Sequence, residues 1–327
     1  MEEQQKLKQF LLLLNEPVVN LKQLMKLSWH GVPSNIRYIV WKYLLKYIPV
    51  ESKKVEPTLQ KKRNEYQSLQ KMLSFESTEI ELKTKKQIKL DLVRSTTEVP
   101  FLFHETAQDI MERVLFLWAL RHPASGYVQG INDLIVPLFV IMLSEYSPLT
   151  TNEVFDDISE EDLKNCEADL YWCLSLLLEN VQDHYTSNQS KIFDQLKTMK
   201  QMIIKIDEQL YKHFEECNVE CYHFAFRWFN CFLLREMSLE KGLRLWDTYL
   251  SDEDGNGFST YHLYVCIAII EFYSDKLLNM EFAEMLQFLQ NIPSKEWTKS
   301  DFEELLSKAF VLYKSYANAQ SHLSNDI

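Results

Sequence analysis

The chain is short of the residues that build stapled or disordered proteins, with 6 cysteines, 6 glycines and 9 prolines in 327 residues. So few cysteines cannot form a disulfide framework, and Cys166, Cys173, Cys221, Cys231 and Cys266 lie in helix-patterned surroundings where a thiol acts as a small core hydrophobe. Cys217-x3-Cys221, with His213 and His223 nearby, lacks the paired Cys-x2-Cys units of a structural zinc site, so no metal is expected. Basic residues are in deficit, 35 against 47 acidic, for a net charge of −12. That balance argues against general nucleic-acid binding, which needs a basic footprint, and does not favour anionic lipid. The apolar run Leu134 to Leu143 is about half the length that spans a bilayer, so no direct membrane insertion is expected. Residues 10–14 are apolar but follow a segment of mixed charge and precede no small-residue cleavage site, so the expected compartment is the cytoplasm. A Gly-x-Ser-x-Gly elbow is missing, and the eight histidines form no ordered triad. A Gly-x4-Gly-Lys-Ser/Thr loop is missing as well, so the chain is not expected to hold a nucleoside triphosphate by itself.

What is present is apolar and helical in pattern. Hydrophobic residues make up 46% of the chain and aromatic residues 13%, enough for a large core. Apolar positions recur at three and four residues, as in Leu170, Leu174, Leu177 and Leu178, and no sustained period-two run competes with them. The spacing predicts helices over about 35–47, 57–75, 107–121, 128–145, 160–182, 190–215, 220–234, 239–249, 260–274, 279–290 and 301–313. Residues 76–86 read as a polar link, and 147–159 as a linker between an amino-terminal lobe, 1–150, and a carboxy-terminal lobe, 151–327. Ser159-x2-Asp162 has the form of a helix cap, and Pro137 is expected to kink or disrupt the helix that contains it. The fold class is therefore all-α.

Three polar signatures interrupt this core-like text: Arg37-x3-Trp41, Ile88-x2-Asp91-x2-Arg94, and Tyr127-x-Gln129-Gly130 within 121–133. Arg37 and Trp41 share a helix face. Arg94 closes its helical segment, where a long guanidinium can project outward or simply pair with Asp91 three residues back. Gln129 can present its amide outward or bond the backbone at a helix start. Asp252-x-Asp254-x-Asn256-Gly257 imitates the opening of an EF-hand loop, but its twelfth position is Leu263 where a bidentate Glu is required, so an exposed insertion between helices is expected instead.

In order and spacing these signatures resemble the TBC domain of Rab GTPase-activating proteins. Gly31-Val32-Pro33 precedes them; Phe226-Arg227-Trp228-Phe229 and Leu243-Arg244-Leu245-Trp246-Asp247 follow. The runs 121–133, 206–209 and 262–266 are most similar to the member-twenty-two subfamily. Ser95 and Ile131 depart from the Thr and Met common at those places, which bears on packing rather than chemistry.

The resemblance implies two packed helical lobes forming one TBC domain, both fingers in the first lobe. It implies Arg94 as an arginine finger and Gln129 as a glutamine finger acting in trans on a GTP-loaded Rab-family GTPase. Arginine neutralises charge on a transferring phosphoryl group, and an amide can orient the attacking water. Arg37, Trp41, Asp91, Tyr127, Gly130, Asn132 and Asp133 are implied as supports, with Asp91 the nominated partner of Arg37. No cofactor of the chain's own is implied: GTP and Mg2+ arrive with the partner. A Golgi-associated adaptor and recruitment to Golgi or vesicle membranes are further expectations. A non-catalytic Rab-binding or scaffolding module in membrane traffic is the alternative.

Overall fold

The computed structural model describes residues 2–71, 78–95, 99–147, 154–155, 157–186 and 189–317. The described residues are helical, with a single isolated antiparallel bridge between Val18 and Glu51. The chain divides into two compact units, Met1–Ser187 with Leu243–Glu253, and Asn188–Gly242 with Asp254–Ile327. The first unit therefore extends past the expected boundary at 150, because the helix over 160–181 packs within it. Most of the expected linker 147–159 lies outside the described residues.

The first unit holds α1 (Glu2–Leu14), α2 (Leu21–Ser28), α3 (Arg37–Leu44), α4 (Ser52–Gln70), α5 (Glu79–Ser95), α6 (Glu105–Arg121), α7 (Ile131–Leu143) and α8 (Glu160–Val181). Every residue of α7 is buried. A helix apolar all round must sit inside its unit, and α7 packs against α3, α5, α6 and α8. It runs unbroken through Pro137, which removes one ladder bond without ending the helix. Ser159 caps α8, its hydroxyl accepting from the Asp162 N–H at 3.1 Å, as the sequence suggested.

The expected polar link at 76–86 is wrong over its described part. Thr78 opens α5 with reciprocal bonds: its N–H donates to Glu81 Oε2 at 2.6 Å, and its Oγ1 accepts from the Glu81 N–H at 3.3 Å. This Thr-x2-Glu capping box satisfies two otherwise orphaned donors and starts the helix well before Ile88.

Beneath α4 and α8 lies an ionic cluster with no counterpart in the sequence reading. Asp169 accepts from Lys42 Nζ at 2.7 Å, from the Tyr47 hydroxyl at 2.7 Å, and from Arg63 Nε and Nη2 at 3.0 and 2.8 Å. Glu145 takes a second bond from Lys42 at 2.5 Å. Burial pushes the Asp169 carboxyl up, but Lys42 and Arg63 outweigh it and hold the group below its ordinary value. Burial likewise pulls Lys42 down, and Asp169 and Glu145 more than reverse that. A neighbouring set joins Tyr66, Gln70 and Arg113 to Glu167.

After α8 come α9 (Ser190–Ile206), α10 (Glu208–Glu216), α11 (Tyr222–Asn230) and α12 (Leu239–Leu250); the residues of α12 from Leu243 belong to the first unit. Then come α13 (His262–Phe272), α14 (Ser274–Leu277), α15 (Phe282–Gln290) and α16 (Lys299–Tyr316). The helix expected over 190–215 is two: Asp207 ends α9 and caps α10 by accepting from the Leu210 N–H at 2.9 Å. Within the second unit α13 packs on α16, and α9 on α10, α11 and α13. The five cysteines assigned to the core are buried.

Candidate functional site

Arg94 lies in the last turn of α5, where the exposed carbonyl ends of a helix favour a cation. Its side chain is 64% exposed, and Nη1 stands 3.8 Å from Asp91 Oδ1, an ion-pair distance too long for a hydrogen bond. The arginine is steered by the carboxylate rather than clamped to it. Asp91 itself is 1% exposed. Its Oδ2 accepts from Gln87 Nε2 at 3.0 Å and faces the Tyr127 hydroxyl at 3.1 Å, while Oδ1 has no hydrogen-bond partner among the described residues.

Tyr127 carries this arrangement across to the start of α7. Its hydroxyl lies 3.1 Å from both Asp91 Oδ2 and Asn132 Oδ1, and its single proton serves one of them at a time. Asn132, fully buried, is the hub: Oδ1 accepts from the Gly130 N–H at 2.8 Å, and Nδ2 donates to Ser95 Oγ at 2.6 Å. Ser95 Oγ in turn donates to the Asp91 carbonyl at 3.1 Å. Gly130 has φ 114°, a left-handed conformation that side chains rarely adopt, and it turns the chain into α7. Gln129 sits on the outside of that turn and is exposed. The helix starts at Ile131, three residues later than expected, because Gly130 ends the turn there. Asp133 is buried in the first turn of α7, its Oδ2 3.4 Å from Asn132 Nδ2.

Replacing Asn132 by alanine leaves the Gly130 N–H without its acceptor and takes from Ser95 Oγ one of its hydrogen bonds. An unsatisfied buried polar group costs about 1–3 kcal/mol, so the expected result is a loss of that size in chemical denaturation, with faster amide exchange at Gly130. Unchanged exchange there would show that the turn is held by other contacts.

Arg37 and Trp41 form a different cluster, and the expected pairing of Arg37 with Asp91 does not occur. Arg37 Nε and Nη2 donate to Asp247 at 3.1 to 3.2 Å, Trp41 Nε1 donates to Asp247 Oδ1 at 2.7 Å, and the Val32 N–H donates to Oδ2 at 2.8 Å. Arg37 Nη2 also donates to the Val32 carbonyl. Complete burial pushes the Asp247 carboxyl up, against the opposing pull of Arg37 and the other donors. Trp41 stacks on Trp246 with centroids 6.0 Å apart. Gly31, at φ 93°, lies where an added Cβ would meet the Arg244 side chain at 2.6 Å, so no larger residue fits without displacing it. The signal for Asp247 was in the text, since a buried aspartate after Leu-Arg-Leu-Trp needs a cation, but spacing could not say which.

The structure thus brings Asp91, Arg94, Tyr127, Gly130 and Asn132 into one assembly, with Asp133 at its edge and Gln129 on its turn. An exposed guanidinium and an exposed glutamine, both footed on a buried hydrogen-bond network, can act on a charged group delivered from outside. The near-miss to an EF-hand leaves residues 253–256 exposed in the turn after α12, with Asp252 buried.

A family model described as the Rab-GTPase-TBC domain matches residues 34–278. The GTPase-activating protein gyp1 of Schizosaccharomyces pombe is 42% identical over 326 residues, covering 97% of this chain and 63% of the relative. Human TBC1 domain family member 22B is 41% identical over 324 residues, covering 98% of this chain and 64% of the relative. The chain thus spans somewhat under two thirds of the length of these relatives, and identities so similar do not set the member-twenty-two branch apart. The crystal structure of the Ypt/Rab-GAP domain of Gyp1p superposes with a TM-score of 0.91 at 40% identity, covering 96% of this chain and 99% of that one.

Proposed function

The chain belongs to the Rab-GTPase-TBC domain family, and on that premise we propose that it accelerates GTP hydrolysis on a Rab-family GTPase by supplying Arg94 and Gln129 in trans. The observation that carries this reading is the exposure of the Arg94 guanidinium at the end of α5 beside a buried carboxylate that steers it without sequestering it. A structural arginine would be expected to close a bidentate pair, as Arg63 and Arg113 do in the same unit. The GTP-loaded partner brings the transferring phosphoryl group and its Mg2+. Arg94 neutralises charge on the phosphate oxygens as the bond to the leaving group lengthens, and its planar fork suits that task better than a lysine. Gln129 donates from its amide nitrogen and accepts at its oxygen, holding the attacking water in line. Recruitment to Golgi or vesicle membranes, through the partner's lipid anchor or a Golgi-associated adaptor, is part of the same proposal; no helix among the described residues is long and apolar enough to cross a membrane.

Single-turnover GTP hydrolysis across a panel of Rab proteins tests the reading and names the substrate. Tight capture of GTP-loaded Rab with no increase in phosphate release would replace it with the binding-module alternative. The division of labour is tested by Gln129→Ala. Loss of one preorganised donor costs about 2–4 kcal/mol in the barrier, so stimulation should fall steeply even when the Rab keeps its own glutamine. Substituting the Rab glutamine should reduce stimulation without eliminating it. If Gln129→Ala stays fully active while the Rab variant is inert, the water is held by the GTPase.

A further inference from the structure

The solvent side of α5 is unusual for the outer face of an amphipathic helix, which should be polar. Ile88, Asp91 and Leu92 face inward, yet Leu82, Leu90 and Val93 on the outside are 56%, 50% and 51% exposed. At about 100° per residue, Leu82, Lys86, Lys89, Leu90 and Val93 fall within an arc of about 100°, and Arg94 lies about 40° beyond Leu90. The result is an apolar strip interleaved with exposed lysines, ending beside the exposed guanidinium. Lys83, at its edge, is occupied by Glu79 at 2.7 Å.

We infer that this Leu82–Leu90–Val93 strip of α5 is the seat for the protein surface surrounding the bound triphosphate of the GTP-loaded partner. The inference rests on the proposed GTPase-activating reading and adds to it the surface that provides affinity. Two observations select this occupant over others. Val93 and Leu90 are next to and one turn from Arg94 on one rigid helix, which rises only about 1.5 Å per residue. Any partner whose phosphates Arg94 reaches must lay its own surface over these neighbours, since a specific interface covers about 800 Å² on each side. Charge gives the second: Lys86 and Lys89 stand exposed on a chain whose net charge is −12. A locally basic rim on an acidic protein suits a partner that presents an apolar patch edged by carboxylates and by the phosphates themselves.

The test uses the full chain with the most responsive GTPase, and reads KM and kcat for stimulated hydrolysis together with the Kd for the GTPase loaded with a non-hydrolysable GTP analogue. In the double variant Leu90→Gln, Val93→Gln, KM and Kd should each rise about tenfold or more, because truncating a central apolar contact weakens binding, while kcat at saturation is retained. Both positions are exposed, so folding should be unaffected, and a fall in kcat with lowered thermal stability would overturn the docking role. Lys86→Glu with Lys89→Glu should raise Kd and flatten its dependence on ionic strength. A control at Val311→Gln, 62% exposed on α16, should leave KM unchanged. If wild type stimulates and the α5 variant keeps its KM and Kd, the docking face is wrong and the catalytic reading stands. If wild type stimulates no GTPase in the panel, the catalytic reading fails, and the docking face then stands only if the analogue's Kd still rises in the variant. Gel filtration showing a dimer that the α5 variant dissolves, with Kd unchanged, would assign the strip to a second copy and overturn the inference.

Discussion

Arg94→Ala should remove nearly all stimulated GTP hydrolysis while leaving the fold intact. An arginine finger is worth about 10³ to 10⁵ in rate, or about 4–7 kcal/mol of barrier, because it meets charge that develops only in the transition state. The cost to stability should be small: the side chain is largely exposed, and its ionic contact among the described residues, to Asp91, is 3.8 Å long. Arg94→Lys should recover little, since an ammonium keeps the charge but loses the fork that can bridge two phosphate oxygens. Single-turnover phosphate release at saturating protein, with circular dichroism to confirm folding, gives the answer. Undiminished stimulation by a folded alanine variant would remove Arg94 from the mechanism.

Asp169→Ala should be the most damaging single change to stability. It leaves Lys42, fully buried, with Glu145 as its remaining carboxylate partner among the described residues, and takes from Arg63 its bidentate partner. Removing one member of a buried ion pair costs about 3–5 kcal/mol, because the remaining charge stays desolvated. In a unit of this size that corresponds to roughly 6–20 °C in melting temperature. The pH dependence follows from the directions of the shifts. Asp169 is held below its ordinary value, so its contribution is complete above about pH 4 and is lost as acid takes the pH through the folded pKa. Lys42 is held above its ordinary value, so its contribution is complete below about pH 10 and fades only at higher pH. Wild type should therefore hold the cluster's stabilisation across the neutral range, and the variant's deficit should shrink below about pH 4. A variant melting within a degree of wild type would mean that water reaches Lys42 and Arg63.

Local pattern was enough for the helical class and for most helix positions, and it singled out the signatures on which the proposed chemistry rests. Arg94, Gln129, Tyr127 and Asn132 stand in short signatures whose spacing is read directly, and the five core cysteines follow from helical apolar periodicity. The failure at α5 has a physical cause. Its buried face is narrow, and Leu82, Leu90 and Val93 lie on the other side, so apolar residues occur around much of the helix and the period blurs. The Thr78-x2-Glu81 capping box was the signal that would have placed the start. No local signal existed for the pairings. Arg37 meets Asp247, 210 residues away, and Asp169 gathers Lys42, Tyr47 and Arg63 from more than 100 residues upstream. A buried charge announces that it needs a partner, but every acid in the chain satisfies that demand equally until folding chooses one. Tertiary structure made that choice, and it also decided that Arg94 would be steered by Asp91 and left open to solvent while Arg63 was locked away. Residue type is written in the sequence; the desolvation that separates a structural arginine from an available one exists only once the chain is packed.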